Sequence, residues 1–389
     1  MFGLHRVISM ASPRSRKSDI LSAMLALEAR TKWSPLVAAA FSLPSVLAGA
    51  LAIGACGTVL GDVPEGHLSE DAGSLDSGAP DSGDDSAADV TGKEICFFPN
   101  ADILDLAVDA TDLYWLRAPP SGGKEYAVES CSKNGGGVRQ LAALPQKPET
   151  LTLSDKYVFW TINGVGYGVD GTWRVDKLGG EAPTKPFVIV GGAGPVVFAN
   201  GNLITGSHAG LIAINSPDTG ESLGKPQGSW NVTSLAASGA TLFYADQNTG
   251  EILRAVIGSQ SPAASFEAAS TAKPFLLTYD TDTLYWAITT SDGTTIRSKC
   301  SGDNCMARDV LIQRGDFEAF AVRNGSMYWT VNEGNTGAVY GCSDISSCQA
   351  TTTDLWKRDA QVSRMAVDYS HVYVAARRDT GGYIMKRAR

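Results

Sequence analysis

The sequence predicts an all-β fold, a seven-bladed β-propeller, from three observations. An aromatic pair returns at nearly constant spacing through residues 95–389. Each pair follows a short apolar strand and a polar turn, and a third apolar strand comes after it. A period of about 40 to 45 residues with room for four antiparallel strands is typical of propellers, because each blade buries its faces against its neighbours in a closed ring.

The repeat is clearest when the copies are aligned on the second residue of the aromatic pair, the anchor. The anchors are Trp115, Trp160, Thr205, Tyr244, Trp286, Trp329 and Val374, separated by 45, 45, 39, 42, 43 and 45 residues. We expect the five aromatic anchors, Trp115, Trp160, Tyr244, Trp286 and Trp329, to form the core between blades, since large flat side chains bury the most area. Copy three departs most from the pattern, and a six-bladed ring is the alternative.

Third strands are predicted in copies two to seven. They are TWRV from Thr172, LIAI from Leu211, EILRA from Glu251, TIRSK from Thr295, AVYGC from Ala338 and YIMKR from Tyr383. Copy seven has no fourth strand after its third. The segment ICFFPN, from Ile95, lies just before the first copy, and we expect it to supply that outer strand, which covers an open edge and closes the ring.

The LYW and FYAD strings, with Gly and a later Ile-x-Arg pattern, resemble bacterial propellers of the YWTD, NHL and SMP-30 repeat groups in a predicted-lipoprotein setting. The resemblance covers nearly all of residues 95–389, and it implies a fold rather than an activity. SMP-30-like lactonases hold a divalent ion with acids and an asparagine at non-repeating positions, which are not located in this sequence.

Residues 1–56 are predicted to be an export signal. No charged residue occurs from Trp33 to Gly61, and Arg30 and Lys32 come just before this apolar stretch, as in a secretory signal. Its end, Ile-Gly-Ala-Cys, resembles the bacterial lipobox, so Cys56 is the predicted lipidation site. The alternative is an uncleaved membrane anchor. Either way we expect the rest of the chain to be exported, facing the periplasm or the cell surface.

Residues 57–94 are predicted to be a disordered acidic linker. Between residues 62 and 94, ten acids stand against Lys93 and there is no Phe, Trp or Tyr, so the segment has too little apolar surface to offset its chain entropy. Its aspartates lack the fixed spacing of a calcium loop. The domain from 95 to 389 carries about −4 of the total charge of −9. It therefore lacks the excess of basic residues that nucleic-acid binding requires.

Six of the seven cysteines remain once Cys56 is assigned to the lipid. An even number in an exported chain predicts disulfide bonds. The predicted pairs are Cys300–Cys305, Cys342–Cys348 and Cys96–Cys131. Zinc is the competing interpretation, but the sequence has no C-x-x-C pair and no histidine near these cysteines.

No established catalytic motif is present, and no catalytic or metal-binding residue is assigned. His208 and His371 are expected to be exposed turn residues. Asp109, Asp280 and Asp368 recur at one repeat position. They either hold a divalent ion such as Ca²⁺ at the channel mouth or bond the backbone of their own turns, and the second interpretation is favoured.

These observations favour a non-enzymatic, lipid-anchored propeller that binds or scaffolds an extracytoplasmic protein, glycan or envelope component, with no nucleic-acid partner. Loops on one face of a propeller form a rigid platform for such binding. The alternative is a metal-dependent hydrolase or lyase of the SMP-30/lactonase type, working at the channel mouth.

Overall fold

The computed structural model describes residues 92–389, except 100, 120–122, 124, 164–169, 188–191, 211, 225–230, 260, 303 and 380. The predicted signal segment with Cys56, and the predicted linker as far as residue 91, lie outside the described residues. Across the described ranges, 28 strands form seven four-stranded antiparallel sheets. The seven-bladed prediction is therefore confirmed.

Each of the first six blades uses four consecutive strands, numbered from the channel outward. Blade 1 contains β2 (Asp102–Val108), β3 (Asp112–Ala118), β4 (Tyr126–Ser132) and β5 (Arg139–Leu144). Blade 2 contains β6 (Pro148–Leu153), β7 (Tyr157–Ile162), β8 (Gly171–Asp176) and β9 (Thr184–Phe187). Blade 3 contains β10 (Ala193–Ala199), β11 (Asn202–Ser207), β12 (Ile212–Asn215) and β13 (Ser222–Gly224).

The remaining blades follow the same plan. Blade 4 contains β14 (Val232–Ser238), β15 (Thr241–Asp246), β16 (Glu251–Val256) and β17 (Ala264–Glu267). Blade 5 contains β18 (Pro274–Asp280), β19 (Thr283–Thr290), β20 (Gly293–Cys300) and β21 (Arg308–Gln313). Blade 6 contains β22 (Asp316–Arg323), β23 (Ser326–Glu333), β24 (Thr336–Cys342) and β25 (Thr353–Arg358), with a short helix, α1 (Cys348–Thr351), before β25.

Blade 7 joins the two ends of the ring. Its first three strands are β26 (Gln361–Val367), β27 (His371–Arg378) and β28 (Gly381–Ala388), and its outer strand is β1 (Lys93–Pro99). Lys93 lies opposite Lys386, and Pro99 lies opposite Gly381. The predicted closing strand is confirmed, and it begins at Lys93, two residues before the predicted domain boundary.

The innermost strands close the ring around a central channel. Contacts run from β2 to β6, β10, β14, β18, β22 and β26, and from β26 back to β2. Each of these strands carries a register shift near its start, such as the one between Ile103 and Asp105 in β2. A bulge bends a strand and re-aims its side chains. Next to one such shift, Asp105 Oδ2 accepts the Leu151 N–H of the following blade at 2.7 Å.

The aromatic anchors pack between the blades. Trp115, Trp160, Tyr244, Trp286 and Trp329 are all almost completely buried. Trp160 of blade 2, for example, belongs to one apolar cluster with Tyr114 and Leu116 of blade 1. Replacing a buried tryptophan by alanine costs about 3–5 kcal/mol, so each anchor contributes strongly to holding its blades together.

Blade 3 replaces the aromatic anchor with a polar contact. Thr205 is fully buried, and its hydroxyl bonds the Thr172 hydroxyl of blade 2 at 2.9 Å. The next residue, Gly206, lies so close to blade 4 that a Cβ there would be 2.6 Å from Val232 Cγ1. Thr205 thus faces blade 2 and Gly206 faces blade 4, and copy three forms a separate blade rather than being absorbed into a six-bladed ring.

Candidate binding surface

The connections between strands divide the ring into two faces. The turn face carries the first-to-second and third-to-fourth connections of each blade, and the crossover face carries the second-to-third connections and the links between blades. Lys93 enters the ring at the turn face, because it lies opposite Lys386, near the turn-face end of β28. Arg389 leaves the ring at the same face, where its N–H bonds Ser370 O at 3.0 Å.

Asp109 shows what the recurring aspartates do. Its Oδ1 accepts the N–H groups of Thr111 and Asp112 in its own turn, both at 2.9 Å. Its Oδ2 pairs at 2.8 Å with Lys177 Nζ, which belongs to blade 2. Burial alone would raise the pKa of Asp109, but Lys177 and the turn N–H groups outweigh burial and lower this pKa to about 2.

Asp368 repeats this arrangement between blades 7 and 1. Its carboxylate accepts the N–H groups of Ser370 and His371 at 2.8 Å and the Tyr373 hydroxyl at 3.0 Å. Lys133 of blade 1 pairs with it at 2.5 Å. Burial raises the pKa of Asp368, but Lys133 and these donors lower it more, so the net shift is downward.

Asp280 behaves differently, since it bonds the Thr281 hydroxyl and the Gly325 N–H of blade 6, both at 3.2 Å. Two of the three aspartates thus bond the backbone of their own turns as expected, and all three also contact a neighbouring blade. Within the described ranges, no group of three His, Cys, Asp or Glu side chains lies together as a metal site would require.

Three disulfide bonds, with the predicted pairings, are present. Cys300–Cys305 and Cys342–Cys348 close the third-to-fourth connections of blades 5 and 6, so both lie on the turn face. Cys96–Cys131 joins the outer strand of blade 7 to the third strand of blade 1. The first two bonds staple loops of the turn face, and the third spans the seam where the ring closes.

Two clefts open on the turn face between neighbouring blades. The larger, of about 740 Å³, lies between blades 1 and 2 and is walled by Asp112, Arg139, Asp155 and Asp176 together with the Lys177–Asp109 pair. The second, of about 570 Å³, lies between blades 4 and 5 and is walled by Arg254, Tyr279 and Asp282. Both clefts are lined by residues at or next to the first-to-second and third-to-fourth connections of two neighbouring blades.

Exposed apolar side chains concentrate on the turn face. Leu178 (83% exposed), Val256 (56%), Met306 (89%) and Tyr369 (74%) lie there, in blades 2, 4, 5 and 7. The other three large exposed apolar residues that the structure describes, Phe97, Leu223 and Ile312, lie on outer strands. Of these three, Ile312 lies nearest the crossover face, since it is the next-to-last residue of β21, whereas four described residues of this kind lie on the turn face.

The crossover face holds a polar cluster that the sequence analysis missed. Glu149 of blade 2 bonds His208 Nε2 of blade 3 at 3.0 Å and Asn163 Nδ2 at 3.1 Å. The bond to Glu149 raises the pKa of His208. His208 does lie in a turn, but it is half-buried and links two blades, so the prediction of a simple exposed turn residue was wrong. Its partner Glu149 is 59 residues away in sequence, which no local pattern reveals.

His371 is the first residue of β27 and not a member of the preceding turn. Its ring nitrogen Nδ1 lies 2.7 Å from the Ser370 hydroxyl, and its side chain is partly buried. Burial and the neighbouring Lys386 lower the pKa of His371. Within the part of the chain that the structure describes, neither histidine belongs to a group of three or more His, Cys, Asp or Glu side chains.

The comparisons with known proteins define a fold class. No model of a known protein family matches the chain, and no curated protein matches it in sequence. The WD40 propeller domain of Doa1 aligns over 77% of this chain and 96% of its own, with 11% identity and a TM-score of 0.57. YCF48 from Cyanidioschyzon merolae aligns over 77% and 98%, with 11% identity and a TM-score of 0.56.

A structure of YCF48 bound to D1 peptide aligns over 78% of this chain and 99% of its own, with 11% identity and a TM-score of 0.55. At such identities the likeness concerns the fold alone. The chain is a seven-bladed β-propeller, a fold consistent with a binding or scaffold module. No helix in the described ranges has the length and apolarity needed to cross a membrane.

Proposed function

We propose that this protein is an exported, lipid-anchored binding module that docks an extracytoplasmic protein on the turn face of its propeller. The observation that carries the proposal is the uneven distribution of exposed apolar side chains, four of which lie on the turn face. Exposed apolar residues set among charged groups are characteristic of protein-interaction surfaces. The structural neighbour YCF48 is bound to D1 peptide, which supports a binding role for a propeller of this kind.

Rigidity of the same face supports docking. Two disulfides and the pairs Lys177–Asp109 and Lys133–Asp368 hold its loops in place. A preorganised surface binds more tightly because less conformational entropy is lost on association. The hydrolase alternative has no comparable support, since the cluster around His208 and Glu149 bonds to itself and links blades.

The disulfide bonds also support export. Such bonds form and persist in oxidising compartments outside the cytoplasm and are rare within it. Together with the lipobox-like string ending at Cys56, they favour a lipid-anchored protein of the cell envelope. This part of the proposal is tested by labelling cells with radioactive palmitate. Label on the wild-type protein and none on Cys56→Ser supports the anchor, whereas label that persists on the variant rules out this site.

Docking is tested by placing a photo-crosslinking amino acid at single exposed positions in living cells. Met306 and Leu178 probe the turn face, and Asn335, exposed in the second-to-third turn of blade 6, is the matched position on the crossover face. We expect one discrete protein adduct from the turn-face positions, which Tyr369→Asp weakens, and no such adduct from Asn335. Equal adducts from both faces, or none from Met306 and Leu178, contradict the proposal.

A further inference from the structure

The cleft between blades 4 and 5 is chemically distinct from its counterpart between blades 1 and 2. The two clefts are lined by equivalent positions of the repeat, since Phe243 and Tyr114 each lie one residue before an anchor. Likewise, Asp282 and Lys156 each lie four residues before the anchor of the next blade. Differences between the two clefts therefore reflect side-chain chemistry on a shared scaffold.

One wall of the cleft between blades 4 and 5 is a fixed aromatic ring. Tyr279 lines the cleft and stacks on the fully buried Phe243, with ring centroids 5.5 Å apart and planes inclined by 18°. Phe266 supports Phe243 from the edge at 5.0 Å. An aromatic side chain held in this way offers apolar contact with little loss of conformational entropy on binding.

The polar groups of the cleft are also positioned by the protein. The Tyr279 hydroxyl donates to Asp282 Oδ1 at 3.3 Å, and Arg254 Nη1 donates to Ser301 O at 3.1 Å. Five hydroxyl side chains line the same cleft: Ser238, Thr241, Ser259, Ser261 and Ser301. Hydroxyls both donate and accept, so this lining suits a ligand that is itself rich in hydroxyl groups.

The charges of the lining residues further restrict the class of ligand that fits this cleft. Among the described residues that line this cleft, Asp282 is the one acid and Arg254 the one base, so their formal charges cancel. The counterpart between blades 1 and 2 is lined by four aspartates, two lysines and an arginine. A neutral, hydroxyl-rich cleft with one aromatic wall favours neither an ion nor a lipid. It matches a sugar ring, which has apolar C–H faces and a rim of hydroxyls.

We propose that the cleft between blades 4 and 5 is a binding site for a neutral saccharide. The pyranose ring lies against Tyr279, and its hydroxyls bond Asp282, Arg254 and the lining serines. Val256 both lines this cleft and belongs to the exposed apolar residues of the turn face. The saccharide site is nevertheless tested separately from protein docking, because it depends on Tyr279, Asp282 and Arg254, whereas docking is tested at Met306, Leu178 and Tyr369. Failure of either proposal leaves the other standing.

The test is isothermal titration calorimetry on the full-length protein with chitotetraose, cellotetraose and maltotetraose. We expect at least one of them to bind with one-to-one stoichiometry. Tyr279→Ala should weaken binding about tenfold or more, since the stacking wall is lost. Asp282→Asn should weaken it similarly while preserving the turn, because Asp282 has φ +60°, a conformation that asparagine adopts readily.

Two further variants make the result specific. Lys156→Ala changes the equivalent position of the other cleft and should leave saccharide affinity unchanged. Tyr279→Phe keeps the aromatic wall and should retain most of the affinity, even if Tyr279→Ala proves unstable. Absence of binding by all three sugars at millimolar concentration overturns the proposal. Binding that both Asp282→Asn and Tyr279→Ala leave unaltered also overturns it.

Discussion

Basic side chains on the turn face join blades 1, 2 and 7 to the blade before each of them. Lys133 and Lys177 occupy equivalent positions, because the N–H of each bonds the first turn of its own blade at 3.0 Å. Each ammonium group then reaches the aspartate of the preceding blade. Arg389 takes the same place in blade 7 and donates from Nη2 to Arg323 O of blade 6 at 2.7 Å.

The pair between Asp109 and Lys177 makes stability depend on acid pH. The pKa of Asp109 is lowered from 3.8 to about 2 in the folded protein. This carboxylate therefore stabilises the fold fully above pH 4 and loses that contribution as the pH falls toward 2, a change of about 1–2 kcal/mol. Urea unfolding of Asp109→Asn should show a smaller loss of unfolding free energy between pH 4 and pH 2 than the wild type does.

Asp155 provides the control for this measurement, because it is exposed in the equivalent first turn of blade 2. Asp155→Asn should follow the wild-type curve. An acid dependence that is the same in wild type and Asp109→Asn would show that the contact with Lys177 does not exist in solution.

The two histidines of the ring should titrate on opposite sides of the ordinary value of 6.5. Glu149 raises the pKa of His208, whereas burial and Lys386 lower that of His371. The stabilisation from His208 is present below pH 6.5 and disappears as the pH rises through its raised pKa. NMR titration of the ring protons measures both values directly, with His208→Gln for assignment. A pKa of His208 below that of His371 would contradict the contact between His208 and Glu149.

At the scale of the elements, the anchors, the six later third strands and the closing strand could be predicted from sequence. Apolar periodicity and turn residues mark them locally. The outer strands were harder to place, because β9 has four residues and β13 has three. The links between blades could not be predicted, since Lys177 lies 68 residues from Asp109 and Arg364 lies 260 residues from Leu104.

The disulfide at the ring seam should stabilise the fold more than a staple within one loop. Cys96 and Cys131 are separated by 35 residues, and Cys300 and Cys305 by five. The loop-entropy relation gives about 4 kcal/mol for the first bond and about 2 kcal/mol for the second. Paired alanine variants at each bond, compared by urea denaturation, measure the difference. A larger loss of unfolding free energy on removing Cys300–Cys305 would contradict the greater stabilisation expected from Cys96–Cys131.

A partly buried arginine supports the same seam. Arg364 Nε of blade 7 donates to Leu104 O of blade 1 at 2.6 Å, and Arg364 acts electrostatically on Asp105. Burial raises the pKa of Asp105, and Arg364 opposes that rise. Arg364→Met should cost about 1–3 kcal/mol in unfolding free energy, because it removes a charged hydrogen bond to Leu104 O and the cation that acts on Asp105.

Arg377 is the matched control for Arg364, because it also links blade 7 to blade 1, through Asp102 at 2.8 Å, but both partners are about half-exposed. Arg377→Ala should therefore cost less than about 1 kcal/mol. Equal costs for the two arginine variants, measured by chemical denaturation, would show that burial does not distinguish these contacts.

At the scale of the whole molecule, the two ends of the ring meet in one blade. Residues 93–99 complete a sheet whose other strands come from the last thirty residues, and contacts among the innermost strands run all the way round. Closure leaves no blade with an uncovered flank, which an open chain of repeats would have at both ends. The rigid turn face depends on this closure, because Lys133 reaches Asp368 only across the seam.

Mapping the disulfide bonds of the native protein by mass spectrometry, after digestion without reduction, tests closure most directly. The closed ring predicts a peptide in which Cys96 is linked to Cys131, beside the loops linked through Cys300–Cys305 and Cys342–Cys348. A free Cys96, or Cys96 linked to any other cysteine, would contradict the placement of β1 in the last blade and with it the closed seven-bladed ring.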